Sequence, residues 1–242
     1  MNRFDGIPVS GGIAIGNLKV IKNIFLLPPE KRITEKQIDS EIEKFEEALK
    51  NAEKDILDTQ KKVSSVLGKK YAEIFAIHTM FLQDKFLREQ TIRNIRTDQV
   101  EAIHAFHKTI ENLQALFGKT DGDLVKDRRR DLLDVAERIF SYLRNEKKEK
   151  VFDKPVIVVA HDLSPSQTVS FEKKYVLGFA TEIGSETSHT AIMAKALEIP
   201  AVVGLGDILQ NIIEDQAAIL DGTDGRLIIE PSSMVLSEYR KR

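Results

Sequence analysis

The sequence predicts a mixed α/β protein in which one α/β domain, built from both ends of the chain, is interrupted by an all-α four-helix bundle. Proline and glycine, which weaken helices, are rare in the middle: no proline lies between Pro29 and Pro155, and only three of the 13 glycines do. Helical periodicity fills this interval, whereas short β-branched runs occupy the flanks. The expected parts are an α/β domain at residues 1–22 and 149–231, a helical domain at 23–148, and the start of a linker helix at 232–242.

Composition fits a globular protein with one or two domains. The 242 residues include 36 Lys and Arg against 38 Asp and Glu, a balance that gives no case for nonspecific nucleic-acid binding. The absence of cysteine excludes a disulfide framework, a thiolate metal site and a cysteine nucleophile. No signal-peptide core and no run of about 18 apolar residues is present. We therefore expect a cytoplasmic protein that binds neither nucleic acid nor a membrane.

The first predicted helix begins at a capping box. Thr34 and Gln37 stand three residues apart, as the two polar partners of that motif do. Apolar residues then recur at spacings of three, four or their sum until Gly68, which favours one long amphipathic helix. The residues of this stripe are Ile38, Ile42, Phe45, Leu49, Ala52, Ile56, Val63 and Val66.

Three further helices complete the predicted bundle. The second covers Tyr71 to about Arg96, with a break near Asp84; the third starts near Asp98; and the fourth runs from Asp123 to about Lys148 after a turn at residues 118–122. Short connections between long amphipathic helices are typical of a bundle. The inward positions of the last two helices are Val100, Ile103, Phe106, Ile110, Leu113 and Phe117, then Leu132, Val135, Ile139 and Leu143.

The flanks carry the strands. Apolar β-branched runs bounded by glycine, proline or aspartate predict short strands, and the segment DGTDG at 221–225 predicts a turn between the last two. The predicted strands lie within residues 13–21, 156–160, 176–180, 200–203, 217–220 and 227–229.

The segment GSETSHT at residues 184–190 carries the chemistry. It links a predicted strand to a predicted helix, with Thr187 or Ser188 as the N-cap and His189 in the first turn. Unpaired amides and the helix dipole favour an anion there and keep imidazole neutral, so that its free nitrogen can act as a nucleophile. From these residues alone, a phosphoryl site and an ordinary helix cap both remain open. The hydroxyls that could hold phosphoryl oxygens belong to Ser185, Thr187, Ser188 and Thr190.

Residues 184–204, GSETSHTAIMAKALEIPAVVG, closely resemble the phosphohistidine signature of Enzyme I of the bacterial sugar phosphotransferase system, the phosphoenolpyruvate–protein phosphotransferase family. The resemblance extends over nearly the whole chain. It includes GIPVSGGIAIG at 6–16, AIHTMFL at 76–82, PVIVVAHDLSPSQT at 155–168, VLGFATE at 176–182 and LDGTDGRLIIEP at 220–231.

The resemblance implies a role for each part. His189 would carry a phosphoryl group on Nε2, and Thr168 would hold its imidazole through the hydroxyl. Gly184 would join the hydroxyls of the segment in holding the phosphoryl group. The α/β part would be a swivelling phosphohistidine domain, and the helical insertion would dock the histidine-containing phosphocarrier protein, HPr. Spacing alone leaves residues 74–81 open as bundle core or as a partner groove. The predicted docking residues are Ile74, His78, Met80, Phe81, Arg129 and Arg130.

Two positions depart from the family pattern. Glu186 stands where the family often has a basic residue, and Leu133 stands where it commonly has an arginine. Arg129 or Arg130, one turn away, is the expected substitute. We predict no metal site in this chain, and we interpret His104 and His107 as surface residues of a helix.

Family members continue into a barrel domain that binds phosphoenolpyruvate and Mg²⁺. The chain therefore resembles an N-terminal half that is monomeric, holds no cofactor, exchanges phosphate with phospho-HPr and cannot use phosphoenolpyruvate alone. Two alternatives stay open. One is the swivelling domain of a pyruvate, phosphate dikinase or phosphoenolpyruvate synthase, and the other is an HPr-binding module without catalytic function.

Overall fold

The computed structural model describes residues 2–21, 27–117, 123–145 and 152–242. The chain divides into an α/β unit, residues 1–24 with 149–242, and a helical unit, residues 25–148. A mixed sheet with helices in one unit and a set of packed helices in the other confirm the predicted fold class. The expected boundaries at residues 22/23 and 148/149 lie outside the described residues.

The elements follow the chain in the order strands, helices, then alternating strands and helices. The strands are β1 Asn2–Asp5, β2 Ile7–Ser10, β3 Ile13–Ile21, β4 Val156–Ala160, β5 Val176–Thr181, β6 Ala201–Val203, β7 Ala217–Asp221 and β8 Arg226–Ile229. The α-helices are α1 Ile38–Val66, α2 Lys69–Ala72, α3 Ala76–Leu82, α4 Lys85–Asp98, α5 Ala102–Phe117, α6 Asp123–Leu143, α7 Pro165–Ser170, α8 His189–Leu197 and α9 Ser233–Tyr239.

The eight strands form one sheet in the order β1-β8-β7-β3-β4-β5-β6-β2. The central run from β3 to β6 is parallel, and the remaining neighbours pair antiparallel. β4 is buried along its whole length, which explains why its sequence is apolar throughout rather than alternating. Val158 and Ala160 pack in one apolar cluster, Ile157 and Val159 in the other, so the strand contributes to both faces.

β1 and β2 were not predicted, because their residues are mostly polar or exposed and give no apolar run. They form the two opposite edges of the sheet, although only Gly6 separates them in the chain. The sheet must therefore curve until its edges converge at Gly6. A side chain at this position would place Cβ 2.8 Å from the carbonyl oxygen of Val203, which explains the glycine.

The first helix matches its prediction. Gln37 accepts hydrogen bonds through Oε1 from the Thr34 amide at 2.9 Å and from the Thr34 hydroxyl at 2.8 Å. A 3₁₀ turn over Glu35–Gln37 leads into α1, and the predicted stripe from Phe45 to Val63 is buried. The prediction that Val66 belongs to the buried stripe was wrong: its side chain is 69% exposed, because it is the last residue of the helix.

The second predicted helix is divided into α2, α3 and α4. The break near Asp84 is confirmed, and its carboxylate caps α4 by accepting from the amides of Phe86 at 2.7 Å and Leu87 at 3.2 Å. A 3₁₀ turn over Glu73–Phe75 separates α2 from α3 and was not predicted. It places Phe75 in the core with its ring edge-on to His78, at a centroid distance of 5.5 Å.

The last two helices of the bundle begin where predicted within a few residues, and α6 ends at Leu143. The predicted inward residues Val100, Ile103, Phe106, Ile110, Leu132, Val135 and Ile139 are buried. The predicted turn at residues 118–122, the side chain of Phe117 and the predicted end at Lys148 lie outside the described residues. Within the described ranges, none of the helices combines the length and the apolar composition of a membrane-spanning segment.

Candidate functional site

Two loops leave the same edge of the α/β sheet. β4 and β5 are parallel neighbours, so the loop of residues 161–164 and the loop of residues 182–188 both start at their carboxyl ends. The second loop is bonded back to the first, because the Ile183 amide donates to the carbonyl of His161 at 3.2 Å. The first loop leads into α7 and the second into α8, which brings the starts of both helices to this edge.

His189 is the first residue of α8. The N-cap is Ser188, one of the two predicted candidates, and its hydroxyl oxygen accepts from the Ala191 amide at 3.3 Å. The same hydroxyl donates to the carbonyl of Ser185 at 2.9 Å, which fixes the loop before the helix. His189 is half-buried, so its imidazole is neither sealed in the core nor fully in solvent. An imidazole held at the start of a nine-residue helix lies where an anion is favoured.

The loop before His189 exposes hydroxyl groups. Ser185 and Thr187 are exposed, and their hydroxyl oxygens lie 3.3 Å apart. Gly184 has a φ of 136°, and a Cβ there would lie 2.9 Å from that of Val203, so only glycine fits the start of the loop. Glu186 is also exposed and brings a negative charge to the same segment.

Two threonines predicted to act at this site are buried. Thr190 is 3% exposed, and its hydroxyl donates to the carbonyl of Leu163 at 2.8 Å. This bond corrects the prediction that Thr190 holds a phosphoryl oxygen, because its hydroxyl instead ties α8 to the loop before α7. The Thr168 hydroxyl donates to the carbonyl of Ser164 at 2.9 Å. Its lone pairs are left as acceptors, so its predicted contact with the imidazole of His189 requires a donating ring nitrogen and stays a prediction.

A second imidazole lies on this edge of the sheet. Nδ1 of His161 lies 2.7 Å from Oε2 of Glu182, and Oε1 of Glu182 accepts from the Leu209 amide at 2.8 Å. Sequence analysis did not identify this pair. The available signal was positional, since His161 directly follows β4 and Glu182 directly follows its parallel neighbour β5.

The predicted docking residues of the helical unit have different environments. Met80 on α3 is 66% exposed, and Leu133, Arg129 and Arg130 on α6 are exposed. α3 packs against α6, so these side chains belong to neighbouring helices. Ile74 and Phe81, which were also predicted, are half-buried.

His78 was predicted to contact a partner, and the structure corrects this prediction because the side chain has no exposed surface. Its Nε2 lies 3.4 Å from Oδ1 of Asp131, and its Nδ1 lies 3.6 Å from Oδ2 of Asp134. Arg128 approaches the other carboxylate oxygen of Asp131 at 3.4 Å. His78 therefore links α3 to α6 inside the helical unit and cannot touch a docked protein.

A second polar cluster in the helical unit joins α1 to α6. The hydroxyl of Tyr142 donates to Asp55, and Arg138 lies 3.6 Å from the same carboxylate. Burial, followed by the hydrogen bond to Asp55, raises the pKa of Tyr142 to about 12.

His104 and His107, interpreted from the sequence as surface residues of a helix, lie on α5 and are half-buried. Nδ1 of His107 is 3.4 Å from Oε2 of Glu111, a pair within one helix. Over the described ranges, no group of three or more His, Asp or Glu residues is placed to hold a metal ion.

Two family models match the chain, one over its first half and one over the stretch that contains His189. Residues 5–128 match the N-terminal part of PEP-utilising enzymes, and residues 152–225 match the mobile domain of PEP-utilising enzymes. The chain therefore belongs to the family of PEP-utilising (phosphoenolpyruvate-utilising) enzymes.

Curated relatives make the assignment more specific. The chain is 34% identical over 239 residues to the phosphoenolpyruvate-protein phosphotransferase of Priestia megaterium, and 34% identical over 241 residues to that of Listeria innocua. Each alignment covers 98% of this chain and 41% of the relative. The chain thus spans about two fifths of the length of these relatives.

Solved structures agree. An NMR structure of Enzyme I is 37% identical, with a TM-score of 0.74, and the match covers 98% of this chain and 97% of that one. The N-terminal domain of Enzyme 1 - Nitrogen has a TM-score of 0.66 at 24% identity, which supports the fold alone. The predicted resemblance to Enzyme I is confirmed.

Proposed function

We propose that this chain carries a phosphoryl group on Nε2 of His189 and exchanges it with HPr in the cytoplasm. The observation that carries the proposal is the place of His189, half-buried as the first residue of α8 and directly after a loop with exposed hydroxyls. Membership in the PEP-utilising enzymes and similarity to phosphoenolpyruvate-protein phosphotransferases support it.

The exchange needs no base to activate His189. The lone pair on neutral Nε2 attacks phosphorus, the phosphorus–nitrogen bond in phospho-HPr breaks, and its electron pair returns to the HPr imidazole. The exposed hydroxyls of Ser185 and Thr187 and the amides at the start of α8 hold the phosphoryl oxygens. The transfer is reversible because a bond of the same kind forms and breaks.

HPr docks on the helical unit through an exposed surface on α3 and α6, formed by Met80, Leu133, Arg129 and Arg130. Methionine and leucine supply apolar contact, while the arginines attract carboxylates or phosphate. His78 supports this surface from below by fixing α3 against α6. Leu133 stands where the resemblance implies an arginine, and the adjacent Arg129 and Arg130 supply the positive charge instead.

Use of phosphoenolpyruvate is proposed for the longer protein only. The curated relatives are more than twice as long as this chain, and we assign phosphoenolpyruvate and Mg²⁺ binding to a barrel domain of such a protein. Within these 242 residues, His189 is expected to receive phosphate from phospho-HPr and not from phosphoenolpyruvate alone.

One experiment tests the proposal. The purified chain and its His189→Ala variant are incubated with radiolabelled phospho-HPr or with radiolabelled phosphoenolpyruvate, and the acid-labile label on the protein is counted. We expect rapid labelling by phospho-HPr, none in the variant, and none from phosphoenolpyruvate. Label that persists in the His189→Ala chain would show that another residue carries the phosphate.

Two alternatives have their own outcomes. A chain that binds HPr but takes no label is a docking module without catalytic function, and the negative charge of Glu186 would be the first cause to test. A chain that neither binds HPr nor takes label from it fits the mobile domain of a dikinase. The names of the curated relatives favour the phosphotransferase.

A further inference from the structure

We propose that His161, oriented by Glu182, is a phosphoryl-contacting residue that donates a hydrogen bond from Nε2 to the phosphoryl group on His189. This inference rests on the proposed function of His189. It adds a second imidazole to the site and gives that imidazole a role distinct from that of the nucleophile.

The orientation of His161 follows from its carboxylate partner. A carboxylate accepts hydrogen bonds, so the 2.7 Å contact with Oε2 of Glu182 places a hydrogen on Nδ1 of His161. Glu182 is itself held, since its other oxygen accepts from the Leu209 amide at 2.8 Å and its side chain is only 10% exposed. A fixed carboxylate behind one ring nitrogen orients the ring and leaves Nε2 as its second polar atom.

Nε2 of His161 is on an accessible side chain. The side chain is 62% exposed, although its partner is nearly buried. The exposure of His161 is what a group needs if it is to meet a ligand.

The loop that carries His161 contacts both ends of the segment that leads to His189. At the start of the segment, the Ile183 amide donates to the carbonyl of His161 at 3.2 Å. At its end, the Thr190 hydroxyl donates to the carbonyl of Leu163 at 2.8 Å. The short loop after β4 is thus bonded to the residue that follows His189, which places both imidazoles in one loop cluster at the carboxyl edge of the sheet.

The negative charge of this segment favours a cationic hydrogen-bond donor beside His189. A phosphoryl group brings a charge of about −1.5 to −2 to His189. The segment EIGSETSHT at residues 182–190 includes two glutamates and no lysine or arginine. Protonated on both nitrogens, His161 supplies a cationic donor toward the phosphoryl group while Glu182 balances the charge from behind.

The test uses phosphoramidate, a small phosphoryl donor that needs no protein partner. The ¹⁵N-labelled chain is phosphorylated, the modified residue is located by mass spectrometry, and the ring nitrogens of His161 are followed by NMR. We expect the Nε2 signal of His161 to move to the position of a protonated nitrogen when His189 is phosphorylated. A structural loop contact would leave this signal unchanged.

Variants provide the second measurement. We expect His161→Ala to slow labelling of His189 about tenfold, equivalent to about 1.4 kcal/mol. His161→Gln keeps an N–H donor without charge, so its labelling rate should lie between those of the parent chain and His161→Ala. His107→Ala is the matched control, since it removes another glutamate-paired histidine from the helical unit. The fold of each variant is checked from its amide spectrum, and Glu182→Gln gives a second way to weaken the pair.

The outcomes separate this inference from the proposed function. An unmoved Nε2 signal together with an unchanged labelling rate in His161→Ala overturns the inference. Absence of phosphoramidate label on His189 also overturns it, because there is then no phosphoryl group to contact. Label on His189 from phosphoramidate but not from phospho-HPr overturns the proposed exchange, while the His161 signal still decides the inference.

Discussion

His189 in the α/β unit is half-buried at the first residue of a helix, whereas His78 in the helical unit has no exposed surface and lies between two aspartates. Sequence resemblance pointed to both as functional residues. The difference shows that an imidazole near a site acts on a ligand only if tertiary packing leaves it accessible. The buried imidazole of His78 instead links α3, which carries it, to α6, which carries both carboxylates.

The largest expected effect tests whether His78 and His189 have different roles. We expect His78→Ala to lower the free energy of unfolding by about 3 kcal/mol, because it removes a fully buried imidazole that lies between the carboxylates of Asp131 and Asp134. His189→Ala, the matched variant in the other unit, should change stability little while abolishing phosphate exchange. Urea denaturation of both variants checks this, and equal losses of stability would contradict the assignment of roles.

A smaller effect distinguishes two threonines of the same segment. Thr190→Val removes the donor to the carbonyl of Leu163, which should cost about 1–2 kcal/mol of stability. Thr187→Val should leave stability unchanged and slow phosphate exchange, since Thr187 is exposed. Thermal denaturation and labelling by phospho-HPr separate the two, and a Thr190→Val chain of full stability would argue against the buried hydrogen bond.

The proposed docking surface on α3 and α6 gives the third prediction. We expect Met80→Ser to weaken HPr binding about fivefold to tenfold through loss of about 1 kcal/mol of apolar contact. Phe86→Ser is the control, because Phe86 is also exposed but lies on α4 rather than on α3 or α6. An NMR titration with HPr measures both affinities, and equal weakening would place the docking surface elsewhere.

The smallest effect concerns alkaline pH. The pKa of Tyr142 is raised to about 12, so the folded state favours the neutral phenol. This contribution is fully present below pH 10, the ordinary pKa of tyrosine, and is lost as the pH rises toward 12. Relative to Tyr142→Phe, the parent chain should lose on the order of 1 kcal/mol of stability across that range. Urea denaturation at pH 9 and at higher pH would detect it, and parallel losses in both chains would contradict it.

The buried elements of the fold could be predicted from the sequence. β4 and the stripe from Phe45 to Val63 could be predicted because burial imposes a period or an apolar run on the residues themselves. β1 and β2 could not, since edge strands pair through their backbones and tolerate polar side chains. The 3₁₀ turn at Glu73–Phe75 interrupts an apolar pattern that continues across it, so periodicity gave no sign of the break.

The candidate site was predictable in position but not in detail. The order of a strand, a polar loop and a helix was enough to place His189 at a helix start. Burial of His78 and Thr190 depends on which neighbouring helix or loop covers them, and local sequence does not record that. The pairing of His161 with Glu182 depends on two strands being adjacent and parallel, a relation between residues 21 positions apart.

The convergence of the sheet edges at Gly6 bears on how the protein can be handled. β1 and β2 each cover a strand that would otherwise present bare amides and carbonyls, and the two are joined by one residue. Trimming the first ten residues would uncover β8 and β6 together, creating two templates for intermolecular strand addition. Shortened versions that omit β1 and β2 are therefore expected to aggregate, even though the trimmed residues lie outside the proposed phosphoryl site.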